Sequence, residues 1–87
     1  MTDTFEDRVA ATLVAMRNWC EENGVVPNGY GAVDERTAER ILGYAPRTLA
    51  KQHELGGCEI PCRRLGNRRW YTLEDMAREV ERGYLAQ

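Results

Sequence analysis

The sequence predicts a single, mainly α domain that carries one small β-hairpin. Near both ends of the chain, apolar residues recur at three- and four-residue spacing, as they do on the buried face of an amphipathic helix. Between these ends, the pair Gly66-Asn67 separates two short runs rich in branched and aromatic residues, which is typical of a hairpin. The chain has 87 residues, enough for one modest hydrophobic core, so any further unit is an appendage.

The first predicted helix runs from about residue 5 to residue 23. Its apolar face is formed by Phe5, Val9, Leu13, Met16 and Cys20. Thr4 is placed to cap the N-terminus of this helix, and Gly24 can adopt the left-handed conformation that ends it. Val14 and Trp19 make the apolar surface wider than one contact requires. The helix is therefore expected either to lie deep against the rest of the domain or to contact another subunit.

The stretch between Gly24 and Ala32 is dense in glycine, proline and asparagine, so it is predicted to be a loop. It is the only candidate boundary in the chain. Residues 1–30 would then form an N-terminal amphipathic helix and loop, which serve packing or oligomerisation, and residues 31–87 would form the main domain.

Two short helices are predicted to follow the loop. The first begins after the N-cap Asp34 and ends at Gly43. Three apolar side chains point inward from it: Ala38, Ile41 and Leu42. Pro46 suits the first position of the second helix, because its missing N–H is not needed there. That helix continues over residues 47–55, so a tight turn joins two short helices.

The predicted hairpin turns at Gly66-Asn67, which places Arg64 opposite Arg69 and Arg63 opposite Trp70. Directly opposed arginines disfavour a free hairpin by about a few tenths of a kcal/mol. An anionic partner would remove that cost. We also expect the Arg63 guanidinium to gain a cation–π contact with Trp70.

A last helix is predicted after the hairpin. Thr72 and Asp75 approximate a capping box at its start, and the helix is expected to end near Gly83. One face of it is marked by Leu73, Met76, Ala77, Val80 and Tyr84.

Charges are segregated along the chain, although the net charge is only −2. Residues 1–35 contain seven acidic and two basic residues, a net charge of −5. Residues 36–71 contain eight basic and three acidic residues, a net charge of +5, and residues 72–87 have a net charge of −2. The basic segment between acidic flanks indicates an anionic partner, which the total charge alone would not suggest.

The order helix, turn, helix, basic hairpin, helix resembles the excisionase and MerR-like winged helix-turn-helix group. The residues that carry the resemblance are VDERTAERILG at 33–43, PRTL at 46–49, IPCRRLGNRRWY at 60–71 and LEDM at 73–76. This sequence departs from the group in three places. Ala45 stands where a serine or threonine cap is usual, the loop over residues 55–59 is long, and the N-terminal helix is an addition.

The resemblance implies a winged helix-turn-helix fold plus an extra N-terminal helix, and a small sequence-specific protein that binds double-stranded DNA. The first expectation is an excisionase-like recombination directionality factor, which binds and bends DNA to assist an integrase. The alternatives are a MerR-like transcription regulator and a protein-interaction module on the same scaffold. Self-association through the N-terminal helix, or side by side on DNA, is expected with any DNA-binding role.

The candidate DNA-binding residues fall into three groups. If Leu49 points into the core, the outward face of the second short helix presents Arg47, Thr48, Lys51 and Gln52, whose chemistries suit phosphates and base edges. The hairpin contributes Arg63, Arg64, Asn67, Arg68 and Arg69. On the first short helix, Arg36 and Arg40 are one turn apart and suit backbone contacts.

Other chemistries have weaker signals. His53, Cys58 and Cys62 offer three possible ligands for zinc, but their spacing is not that of a zinc finger. Neither a metal nor another cofactor is therefore expected. One histidine and no phosphate loop argue against an enzyme. Three cysteines, an odd and small number, indicate free thiols in a reducing compartment. Without an apolar span or a signal-peptide pattern, a cytoplasmic protein is expected.

Overall fold

A computed structural model describes residues 4–85, the side chains of 84 and 85 excepted. Within that range there are four helices and three strands. In chain order they are α1 (Phe5–Glu22), β1 (Ala32–Asp34), α2 (Glu35–Leu42), α3 (Thr48–Glu54), β2 (Arg63–Leu65), β3 (Arg68–Thr72) and α4 (Leu73–Leu85). The strands form one antiparallel sheet in the order β1-β3-β2. The fold is therefore mainly α with a small sheet, as the sequence predicts.

Helix α1 begins with the predicted cap. The hydroxyl of Thr4 accepts a hydrogen bond from the Asp7 amide at 3.0 Å, and the Asp7 carboxylate accepts one from the Thr4 amide at 3.3 Å. Two orphan donors of the first turn are thereby satisfied. The helix ends at Glu22, and Gly24 follows with a φ of +67°. The predicted helix bounds are thus correct to within one residue.

The apolar face of α1 packs inside the domain, mainly against α4. Val9, Met16 and Cys20 are buried in one core with residues of the sheet and of α4, whereas Val14 is 54% exposed. The Thr12 hydroxyl also donates a 2.7 Å hydrogen bond to Glu81 of α4. Of the two expectations for this helix, the structure displays the first, because the predicted face lies against the rest of the chain.

Polar contacts fix the outer edge of the same helix pair. The Arg78 guanidinium donates hydrogen bonds of 2.9 and 3.0 Å to both carboxylate oxygens of Glu6. The hydrogen bond from this guanidinium lowers the pKa of the Glu6 carboxyl below its ordinary value. Both partners lie at the surface, where solvent screens such a pair, so its role is orientation more than stability.

Strand β1 was not expected, since residues up to Ala32 were predicted as loop and Asp34 only as a cap. Its three residues pair with β3 in the register Ala32 with Thr72, Val33 with Tyr71 and Asp34 with Trp70. A three-residue strand is too short to show the period of two by which strands are recognised in sequence. Only its partner, distant along the chain, makes it a strand.

Helix α2 has the predicted limits. The Asp34 carboxylate accepts a hydrogen bond from the Thr37 amide at 2.9 Å, and Gly43 ends the helix with a φ of +75°. Ala38 is fully buried, and Ile41 and Leu42 pack against the core.

The start predicted for the next helix is wrong. Helix α3 begins at Thr48, and Pro46 lies in the preceding turn. Arg47 adopts a φ of +70°, the left-handed region that is costly for a residue with a side chain. The fully buried side chain of Leu49 places α3 on the core as expected.

The register predicted for the hairpin is confirmed. Strand β2 pairs with β3 so that Leu65 is opposite Arg68, Arg64 opposite Arg69, and Arg63 opposite Trp70. The turn residue Gly66 has a φ of +64°, which suits a tight two-residue hairpin turn. Because β1 joins the other side of β3, the hairpin is part of a three-stranded sheet.

Helix α4 begins after the Thr72 hydroxyl, which accepts a hydrogen bond from the Asp75 amide at 3.0 Å. Leu73, Met76 and Ala77 are buried as predicted, but Val80 is 42% exposed. The helix continues past Gly83 to Leu85, so its predicted end is too early, and the side chain of Tyr84 lies outside the described residues. No helix within residues 4–85 combines the length and apolarity needed to cross a bilayer.

Candidate nucleic-acid interface

The hairpin and the N-terminal end of α2 enclose a groove of about 490 Å³, hereafter the hairpin groove. It is lined by Asp34, Glu35, Arg36, Arg64, Asn67, Arg68 and Arg69. Five of these seven residues were predicted to bind DNA. The groove therefore brings together candidates from α2 and from the hairpin that are far apart in sequence.

The arginines of this groove differ in what they contact. One terminal nitrogen of Arg69 lies 3.1 Å from each carboxylate oxygen of Glu35. Arg68 approaches Asp34 more loosely, at 3.8 Å, and its side chain is 70% exposed. Arg36 and Arg64 are exposed and have no carboxylate partner among the described residues. These two are the guanidinium groups of the groove most available to a bound anion.

The repulsion expected between Arg64 and Arg69 is already relieved within the chain. The two residues are direct neighbours across the hairpin, and the Glu35 carboxylate supplies the opposite charge to Arg69. The sequence suggested an external anionic partner as the group that would remove this cost. Glu35 was missed because its partner lies 34 residues further along the chain.

The cation–π contact predicted between Arg63 and Trp70 does not form. The two residues are paired in register, but the Arg63 guanidinium lies over the ring of Tyr30, 5.1 Å from its centroid. Tyr30 belongs to the loop before β1 and is 66% exposed. The contact therefore holds Arg63 at the surface, against a different aromatic ring.

Two of the four residues predicted for the outward face of α3 are exposed. Arg47 and Lys51 are exposed, and Thr48 and Gln52 are half-buried. The Thr48 hydroxyl donates a 2.6 Å hydrogen bond to the Ala45 carbonyl, which occupies it within the turn. Arg40 of α2 stacks on Trp19 of α1, with 5.0 Å from its guanidinium to the ring centroid. Arg40 therefore contacts α1, and unlike Arg36 it does not line the hairpin groove.

A buried carboxylate fixes the start of α3. Glu39 is only 5% exposed and accepts hydrogen bonds from the amides of Arg47, at 3.2 Å, and Leu49, at 2.9 Å. No local side chain caps this helix. Glu39 therefore supplies from α2 the acceptor that Ala45 does not. The sequence did contain a signal for this role of Glu39. An acidic residue lies beside the apolar positions of α2, and the helix that follows has no capping residue of its own.

Glu35 also joins α3 to the sheet. The hydroxyl of Tyr71 donates a 2.8 Å hydrogen bond to Glu35 and lies 2.7 Å from Nε2 of His53. Because the single hydroxyl proton goes to Glu35, Nε2 of His53 must be the donor in the second bond. Burial, with the hydrogen bond to Glu35, raises the pKa of Tyr71, so the phenol stays protonated.

The three cysteines are free thiols. The Cys62 sulfur lies 3.9 Å from Nε2 of His53, yet no three His, Cys, Asp or Glu side chains within residues 4–85 are grouped so as to hold a metal ion. Partial desolvation of the thiol, with the nearby Cys58, raises the pKa of the exposed Cys62, which opposes formation of a reactive thiolate.

Comparison of the chain with protein-family models, with curated proteins and with solved structures yields no match.

Proposed function

We propose that the chain binds double-stranded DNA as a winged helix-turn-helix protein. In this proposal α2 and α3 form the helix-turn-helix, α3 enters the major groove, and the β2–β3 hairpin is the wing. The observation that carries the proposal is the pair of arginines in the hairpin groove, Arg36 and Arg64, which have no carboxylate partner among the described residues. The net positive charge of the groove and its unpaired guanidinium groups favour a phosphate backbone over other ligands.

The surface of α3 supplies the second part of the proposal. Arg47 and Lys51 are exposed one turn apart, and Gln52 lies beside them. Arginine and lysine can donate to guanine, and glutamine can bind adenine through two hydrogen bonds. We assign sequence readout to these side chains and backbone positioning to Arg36 and Arg64. In the free protein Arg69 is held by Glu35, so its part is secondary.

The test is a titration of labelled duplex DNA at several salt concentrations. Each lost phosphate contact lowers the slope of log K against log salt by about 0.9, so Arg36→Gln with Arg64→Gln should flatten it by about 2. Arg82→Gln, in an exposed arginine of α4 outside the hairpin groove, is the matched control and should leave the slope unchanged. Absence of binding at low salt, or a wild-type slope near zero, would refute the proposal.

For the biological role we propose an excisionase-like directionality factor that assists an integrase. One support is the order of helices and strands in residues 33–80, which resembles that of the excisionase group. The other is the small size of the basic surface, which would let several protomers bind DNA side by side. We expect a footprint on DNA flanking the gene to be extended and accompanied by bending. A short palindromic footprint without bending would instead favour a MerR-like regulator. The absence of any footprint would favour a protein-interaction module.

A further inference from the structure

A second groove, hereafter the helix groove, lies between the C-terminal half of α1, the following loop and the start of α4. Its volume is about 540 Å³. Apolar residues from all three segments line it, namely Leu13, Val25, Pro27 and Leu73. No side chain of the described chain fills this space, so the groove can take an apolar side chain from outside.

The charged residues of the helix groove are mainly acidic. Glu21, Glu74 and Asp75 are in its lining, against one basic residue, Arg17. The side chain of Glu21 has no partner among the described residues, and that of Glu74 is bound only by Arg78, at 3.3 Å. An apolar groove with this balance of charge favours an occupant with an apolar side chain flanked by basic residues.

One segment of this chain has that chemistry. Leu65 ends strand β2 at the tip of the hairpin and is 45% exposed. Arg63, Arg64 and Arg68 surround it in sequence and are all exposed. A leucine at a protruding tip, between arginines, complements the helix groove in both polarity and charge.

We propose that the helix groove binds the hairpin tip of a second copy of this chain. Leu65 of one copy fills the apolar part of the groove, and its neighbouring arginines face Glu21, Glu74 and Asp75 of the other copy. The contact joins two different surfaces, so a pair of copies keeps one free groove and one free hairpin. Association is therefore open-ended and proceeds head to tail.

The contact has two physical consequences. A single hairpin tip in one groove makes a small interface, so association is weak and reversible. The charged part of the contact is screened by salt, so association declines as ionic strength rises. If the proposed function holds, duplex DNA competes for the same arginines and separates the copies. That last consequence rests on the proposed function, whereas self-association does not.

Sedimentation equilibrium of the DNA-free protein at low salt tests the proposal. The weight-average mass should rise continuously with concentration and should fall when salt is added. Leu65→Ser should lower the association constant by about tenfold or more, because it removes the apolar anchor. Leu55→Ser changes another exposed leucine, 86% exposed in the loop after α3, and should have no effect.

Complementary variants make the test decisive. Glu21→Arg reverses a charge of the groove but leaves the hairpin intact, whereas Leu65→Ser leaves the groove intact. Each variant alone should be monomeric at concentrations where the wild type associates. Mixed together they should form one-to-one dimers whose mass does not exceed twice that of the monomer, because each retains one working half of the contact.

Three results would overturn the inference. The first is a monomer at all concentrations. The second is a wild-type dimer that stops at twice the monomer mass, and the third is an equal loss of association in Leu55→Ser. Because these measurements contain no DNA, their failure leaves the proposed DNA binding standing. A failed DNA titration likewise leaves the self-association result unaffected.

Discussion

Replacing Glu39 with alanine is expected to lower the free energy of unfolding by about 2–4 kcal/mol. The Glu39 carboxylate accepts from the amides of Arg47 and Leu49, and the second of these lies at a fully buried residue. Alanine would leave both amides without their acceptor. Because the N-cap residue of α3 makes no capping hydrogen bond with its own side chain, nothing local would replace Glu39. The substitution would also remove the bond that accompanies the left-handed Arg47. Urea denaturation followed by circular dichroism measures the change.

Two further variants separate capping from general charge effects at Glu39. Glu39→Gln keeps one oxygen acceptor and should lose about half as much stability as the alanine variant. Glu59→Ala removes an exposed carboxylate in the loop before β2 and should stay within about 0.5 kcal/mol of the parent. A Glu39→Ala protein as stable as Glu59→Ala would show that α3 does not depend on this carboxylate.

The second prediction concerns Glu35, where stability and DNA affinity should change in opposite directions. Glu35→Gln removes the charge that holds Arg69 and weakens the acceptor of the Tyr71 hydroxyl. The free energy of unfolding should fall by about 1–2 kcal/mol, since these hydrogen bonds are partly buried and charge-assisted. The same change frees Arg69 for a phosphate and removes a carboxylate from the hairpin groove. Duplex affinity at low salt should therefore rise, with a salt slope steeper by about one contact.

The matched control for Glu35→Gln is Glu54→Gln. It makes the same change of net charge at an exposed residue of α3 that does not line the hairpin groove. Its stability should be unchanged, and any gain in DNA affinity should be smaller than that of Glu35→Gln. If both variants bind DNA equally well, total charge and not the release of Arg69 explains the gain. Denaturation and titration of the same preparations provide both values.

Local chemistry explains why the hairpin and three helix starts were predictable. A Gly-Asn pair sets a two-residue turn, and the turn sets the register of the residues on either side, including Arg64 opposite Arg69. Thr4, Asp34 and Thr72 each bind an amide three residues later, within reach of a side chain whatever the rest of the fold does. Such interactions span only a few residues, so they can be predicted from the sequence.

The contacts that were missed join residues at least eight positions apart in the chain. Arg63 stacks on Tyr30 and not on its cross-strand neighbour Trp70, because the loop before β1 lies beside the hairpin only once the sheet is assembled. Strand β1 exists through its pairing with β3. The fixed φ of Pro46 suits a helix start, yet α3 starts at Thr48. There the Glu39 carboxylate, from the preceding helix, accepts hydrogen bonds from backbone amides.

By itself, the sequence determined the helical content, the hairpin and the segregation of basic from acidic segments, since each depends on the order of neighbouring residues. Tertiary structure alone decided which charges remain available. Glu35 holds Arg69, whereas Arg36 and Arg64 have no such partner among the described residues. The reason is physical: an ion pair depends on where two side chains meet in space, and a sequence states only their order.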